Sequence, residues 1–166
     1  AWLPNMSYNT LRMVRKIAGV ELMRQHTQTS RPDTPRHTLV IRIRPDLLLL
    51  ERLMLPRMLH PTSRDVWLPW FCDGSRLAHD QLLTGPPAVA AHLATLYEPS
   101  VLRRTVEAAS MYPERLVYQH LKAAGFELHA APVRAVLVGA DGTVAMARDP
   151  FAKLRRDWRA CEYPQR

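Results

Sequence analysis

The sequence lacks the features that most often announce a chemistry. Its only two cysteines, Cys72 and Cys161, show no CxxC spacing and no nearby histidine at ligand spacing, which argues against a zinc site. A single disulfide between them is compatible with the sequence and leaves the redox compartment open. No apolar run approaches the roughly 20 residues of a membrane-spanning helix; the longest, around residues 47–50, is broken by Glu51 and Arg52. There is no Walker loop, GxGxxG, HExxH or GxSxG, so the common nucleotide-binding, metalloprotease and serine-hydrolase signatures are missing. No repeat, low-complexity segment, RGG run or aromatic-interleaved basic stripe is present, which leaves the nucleic-acid signal weak. The chain opens on Ala1-Trp2-Leu3-Pro4, with neither an initiator Met nor a signal-peptide pattern, and is expected to be a processed form or a fragment.

What is present describes a globular chain. Its 166 residues suit one domain. At 47% hydrophobic and 23% charged it has enough apolar content for a core. Fourteen prolines favour short elements over long helices. The net charge of +8 suggests an anionic partner: nucleic acid, an acidic membrane surface or a phosphorylated small molecule. A merely solvated basic surface is the commoner outcome. The basic residues are dispersed, apart from Lys153, Arg155, Arg156 and Arg159 near the C-terminus and Arg12, Arg15 and Lys16 in the first helical segment.

Periodicity predicts an amphipathic helix over residues 7–26, with Leu11, Val14, Ala18 and Leu22 as its apolar stripe. Residues 27–37 read as a polar, Pro-rich loop. A buried strand follows, with Leu39, Ile41 and Ile43 on its inner face, and Pro45 ends it. Residues 47–59 fit either a helix or a short strand and turn. Residues 66–71 fit a short strand or apolar loop, and Asp73-Gly74 marks a turn in a loop over residues 72–79. Residues 80–85 fit a short or edge strand. A helix begins at Pro87, with Ala91, Leu93, Leu96 and Tyr97 as core candidates, and another spans residues 100–110. The clearest helix is 113–124, started by Pro113 and Glu114, ended at Gly125, and buried through Leu116, Val117, His120 and Leu121. Strand signals recur over 126–138 and 144–147 around an Asp141-Gly142 hairpin, and a basic, peripheral tail is expected over 150–166. This mixed order predicts an α/β or α+β domain.

Candidate chemistry lies where charge meets apolar elements. Arg42, Arg44 and Asp46 alternate, so on a strand they share one face, opposite the apolar one. Arginine forks suit phosphate or carboxylate oxygens, and a carboxylate beside them can hold Mg²⁺ or Mn²⁺ or accept from sugar hydroxyls. An internal ion-pair network explains the three equally well. Asp80-Gln81 precedes an apolar pair and Gly85; a plain turn is the commoner reading. Glu114 is either a helix-start residue or a general base at a cleft rim. His129 is more often a core or surface histidine than a ligand.

In this order the pieces resemble a family. Leu39-Val-Ile-Arg-Ile-Arg-Pro-Asp46-Leu is similar to the R-x-R-P-D strand of a group of GT-A-like glycosyltransferases. His79-Asp-Gln-Leu-Leu-Thr-Gly-Pro-Pro87 resembles that family's N-D-Q-x-x-x-G-x-P segment, with His79 where Asn is common. Residues 89–97 resemble the helix after it, and Tyr112-Pro-Glu-Arg-Leu-Val-Tyr-Gln-His-Leu121 resembles P-E-x-x-L-x-x-x-L. The resemblance covers roughly residues 7–148. It implies the C-terminal portion of a GT-A-like (nucleotide-diphospho-sugar transferase) fold, an α/β mixed sheet flanked by helices, without the family's first nucleotide-binding strands. It implies transfer of a sugar from a nucleotide-sugar donor to a hydroxyl acceptor with a divalent metal, Mn²⁺ or Mg²⁺. Arg42, Arg44 and Asp46 would bind the donor, Asp46 and more weakly His129 the metal. Gln81 and Gly85 would line the acceptor side, and Glu114 and Asp80 would be catalytic. The alternatives are a basic nucleic-acid-binding or ribosome-associated module, and an inactive relative of the transferases.

Overall fold

The computed structural model of the chain describes residues 8–33, 35–50, 52, 64–109, 112–131, 133, 135–138, 144–145 and 161–162. Among the described residues it is an α/β protein with four α helices. The elements run α1 (Tyr8–Ser30), β1 (Val40–Ile43), β2 (Leu47–Leu49), β3 (Asp65–Leu68), β4 (Phe71–Cys72), β5 (Leu77–Ala78) and β6 (Leu82–Gly85). They continue as α2 (Pro87–Ala94) with a 3-10 turn (Thr95–Tyr97), α3 (Pro99–Ala109), α4 (Pro113–Ala123), β7 (Glu127–Ala130), β8 (Ala135–Val138), β9 (Val144–Ala145) and β10 (Cys161–Glu162).

A four-stranded sheet, ordered β1-β6-β3-β7, carries the core. β6 is antiparallel to both neighbours, and β3 pairs parallel with β7. The register separates two faces. Leu83, Val66, Leu68 and Leu128 point to one face and form the main core with Val14, Val89, Leu93 and Leu116 of the helices. Leu82, Thr84, Asp65, Trp67, Glu127 and His129 point to the other. There Leu82 and Trp67 pack with Leu47, Leu49, Ala131 and Val133, beside the β2-β8-β9 sheet. Residues 80–85 therefore supply a central strand rather than an edge, buried at all four positions of β6.

Two expectations about facing are corrected. Among the described residues β1 is an edge strand, not a buried one. Ile41 and Ile43 are 39% and 44% exposed, whereas Arg42, opposite Leu83, turns toward the helical face. The inversion follows from what each side offers: the smaller core covers Ile41 and Ile43 only in part, while Arg42 finds a carbonyl acceptor on the helical side. On α1 the buried residues are Thr10, Val14, Ile17, Ala18 and Glu21, and Leu22 is left 65% exposed. Glu21, 3% exposed, tolerates burial because Arg24 grips both its oxygens at 2.7 and 2.6 Å and Gln25 donates at 2.8 Å. The helix also outruns its predicted end. Thr27 and Thr29 return their hydroxyls to the carbonyls of Met23 and Gln25 at 2.9 Å, so this polar stretch satisfies its hydroxyls inside the helix.

α4 forms as its sequence dictates. Pro113 needs no donor at the first position, and Gly125 takes φ +75. The Gly125 N–H donates to Lys122 at 3.0 Å and that of Phe126 to Leu121 at 3.1 Å, a Schellman ending that a Cβ would strain. Leu116, Val117, His120 and Leu121 are all buried as the stripe predicts, whereas Tyr97 after α2 is 53% exposed. Residues 47–49 resolve the helix-or-strand alternative as strand β2, while residues 53–63 lie outside the described set. The Asp141-Gly142 turn lies outside it too, but its flanking strands pair antiparallel, Val138 opposite Val144. The predicted loop over 72–79 contains β5, hairpinned to β4. In the segment expected to be a peripheral tail, Cys161–Glu162 pairs with β4, Cys161 directly opposite Cys72. Cys72 is disulfide-bonded.

Candidate functional site

The residues singled out in the sequence gather around the end of β1 and the start of β6. Antiparallel pairing puts Ile43 opposite Leu82, and the Arg44 N–H donates to the Gln81 carbonyl at 2.9 Å. That brings Arg44, Asp46, Asp80 and Gln81 to one end of the sheet. Arg42 reaches across and donates from Nη1 to the Asp80 carbonyl. β5 packs against α4, which carries Asp80, two residues past β5, toward Glu114 in the first turn of α4.

Electrostatics tie the group together. Asp80 is buried, and burial pushes its carboxyl above the ordinary range; the charges of Arg42 and Arg44 work against that rise. Glu114 is raised too, first by burial and then by the negative charge of Asp80. Burial lowers Arg42, with Asp80 opposing. His79, 8% exposed, accepts the Leu82 N–H on Nδ1 at 3.1 Å and meets the Trp70 ring edge-on at 5.5 Å. Burial takes its pKa down to about 4, so the ring is neutral at physiological pH. A buried carboxyl of raised proton affinity within the fields of two guanidinium groups, coupled to a second such carboxyl, can exchange a proton and bind an anion.

Asp46 is arranged differently. Arg44 donates to both its oxygens, from Nε at 2.7 Å and from Nη2 at 2.6 Å, and holds it below the ordinary carboxylate range, with Lys16 of α1 adding a smaller effect. Of the three alternating charges, Arg44 and Asp46 form an ion pair, whereas Arg42 binds the Asp80 carbonyl. The fork occupies both Asp46 oxygens, so metal binding through Asp46 requires Arg44 to withdraw first.

Gly85 and His129 lie elsewhere. Gly85 ends β6 at the opposite end from Gln81, where a Cβ would meet Val89 at 3.1 Å and the Asp65 carbonyl at 3.2 Å. Its smallness serves packing of β6 against β3 and α2. His129 is on β7, the far edge of the sheet from β1, about 14 Å away at the usual strand spacing. There it stands with Asp65 and Glu127, which no sequence spacing singled out. The ligand atoms of the three lie within 4.8 Å of one another, a group that could hold a metal ion. Parallel register aligns Asp65 with Glu127 and Trp67 with His129. The signal was the pair of alternations Asp65-x-Trp67 and Glu127-x-His129, each placing its residues on one face; only the pairing of β3 with β7 reveals that the faces meet.

A cavity of about 390 Å³ opens between α2, α3 and the C-terminal half of α4, lined by His92, Thr95, Arg104, Thr105 and His120 among others. It is separate from Glu114. The His92 and His120 rings stack 4.0 Å apart, and each Nε2–H donates to the other's carbonyl, at 3.0 and 2.9 Å. They act as a clasp between α2 and α4.

Among the described residues no helix is long and apolar enough to cross a membrane. The basic residues Lys153, Arg155, Arg156 and Arg159 lie outside the described set. No protein-family model, no curated protein and no solved structure matches the chain.

Proposed function

We propose that the protein is a glycosyltransferase that moves a sugar from a nucleotide-diphosphate donor to a hydroxyl acceptor, with the site at the β1–β6 end of the sheet. One observation carries the reading: the buried Asp80 lies within the fields of Arg42 and Arg44 and itself raises Glu114, a carboxyl from a separate element. Glu114, raised by burial and by Asp80, takes the proton of the acceptor hydroxyl as it attacks the sugar. Arg42 and Arg44 face the donor diphosphate and stabilise the charge that develops as it leaves. In the bound state Arg44 shifts its fork from Asp46 toward phosphate. Asp80 keeps Glu114 basic and anchors Arg42. Mn²⁺ or Mg²⁺ carried by the donor diphosphate needs few protein ligands, and no step here is assigned to it.

The test is turnover of nucleotide sugars by the protein at its full encoded length, with Mn²⁺ present. Glu114→Gln should lower turnover about 100-fold with donor KM little changed, and Arg44→Ala should raise donor KM. Parental turnover by Glu114→Gln would sink the assignment. Steeply salt-dependent RNA binding without nucleotide-sugar binding would replace it with the nucleic-acid reading.

A further inference from the structure

We infer that Asp65, Glu127 and His129 form a binding site for a divalent transition ion of the zinc type, separate from the proposed transfer site. The first ground is geometry. Three ligand atoms within 4.8 Å of one another need only small side-chain rotations to converge on one ion at the roughly 2.0–2.2 Å bonds of zinc to imidazole and carboxylate. The Asp65 Oδ1 to His129 Nε2 separation is 3.0 Å, close to the ligand–ligand edge of such a polyhedron. The second ground is orientation. Trp67 stacks on the His129 ring at 4.9 Å and 30°, which restricts the ring, and β3–β7 pairing fixes the backbone under all three residues. A site on paired strands is better held than one on loops.

The third ground is charge. The ligand set is two carboxylates and one imidazole, so a dication is neutralised where it sits. Imidazole favours zinc and its neighbours over Mg²⁺ or Ca²⁺, which prefer oxygen alone. Asp65 and His129 are 32% and 37% exposed at their side chains, so the ion keeps one or more positions open to water. In the metal-free state the His129 ring bonds to Asp65 directly; a neutral ring offers Nε2 to the ion when it carries its proton on Nδ1.

Titration of the full chain with ZnCl₂ by calorimetry tests this. One equivalent should bind, and His129→Ala and Glu127→Gln should each weaken binding tenfold or more. Mg²⁺ should fail to compete at millimolar concentration. Co²⁺ supplies a local readout: it should quench part of the tryptophan emission, and Trp67→Phe should abolish that part while leaving Zn²⁺ affinity within threefold. Circular dichroism of the half-exposed variants confirms that they fold. No binding by the parent, unchanged affinity in either ligand variant, or quenching that survives Trp67→Phe overturns the site. None of these results bears on nucleotide-sugar turnover, so the two proposals fail separately.

Discussion

The two edges of the four-stranded sheet both carry carboxylates, but they sit beside different partners and on different faces. At β1, Arg42 turns to the helical face, where the buried Asp80 lies within its field and that of Arg44. At the β7 edge, Asp65 of the neighbouring β3 and Glu127 of β7 sit on the opposite face, beside an imidazole. Guanidinium carries a permanent positive charge, so the first edge suits anions. An imidazole with two carboxylates offers lone pairs and negative charge, so the second suits cations. One small sheet thus presents ligand environments of opposite sign, built from the same acidic residue types with different neighbours.

The largest expected effect falls at the β1 edge. Arg42→Ala removes a guanidinium beside a buried carboxyl and should cost about 2 kcal/mol of stability in urea denaturation. Parental stability would mean that Asp80 has another source of compensation, and the contrast between the edges would lose half its basis. Next is a pH effect from the buried histidines. His79 and His120 have folded-state pKa values of about 4 against 6.5 when free. Between those values the unfolded chain binds protons that the folded chain refuses, so stability should fall as pH drops from 6.5 to 4. Asp80 and Glu114, both raised, act in the opposite sense near the bottom of that window, because the folded state keeps their protons longer. His79→Asn preserves an acceptor for the Leu82 N–H and should remove about one proton from the unfolding uptake, measured as the slope of stability against pH. An unchanged slope would place the titration elsewhere.

Smaller effects follow from exposure. The Arg44–Asp46 pair is 46% and 40% exposed, so either alanine variant should cost less than about 1 kcal/mol, with a double-mutant coupling to match. At β7, His129→Phe keeps a ring against Trp67, and without metal its stability should stay within about 0.5 kcal/mol of the parent. A larger loss would make the triad a structural network in its own right.

How much of this was legible in the sequence depends on how local the cause was. α4 was readable because its start, end and stripe all lie within it: Pro113, Glu114, Leu116, Leu121 and Gly125. β1 was readable as a strand, yet its facing was not. The choice between Ile41 and Arg42 rested on an acceptor contributed by Asp80, 38 positions away. The buried face of α1 was misjudged for a similar reason, since Leu22 looks more apolar than Glu21 until Arg24 and Gln25 are seen holding its carboxylate. The influence of Asp80 on Glu114 needs β5 packed on α4, which no local pattern encodes. The Asp65–His129 contact spans 64 positions and exists only because β3 and β7 run parallel, so nothing local pointed to it.

The inward turn of Arg42 also matters for behaviour at high concentration. β1 ends the four-stranded sheet, and an edge strand is a place where another chain can add. A charge turned inward, a proline at the strand's end and a charged fork just beyond it make such an addition unfavourable. The residues proposed to meet a donor diphosphate therefore also help keep copies of the protein apart. Replacing Arg42 with an apolar residue should promote self-association, and light scattering should accompany any activity measurement on that variant, so that a loss of turnover is not mistaken for a loss of soluble protein.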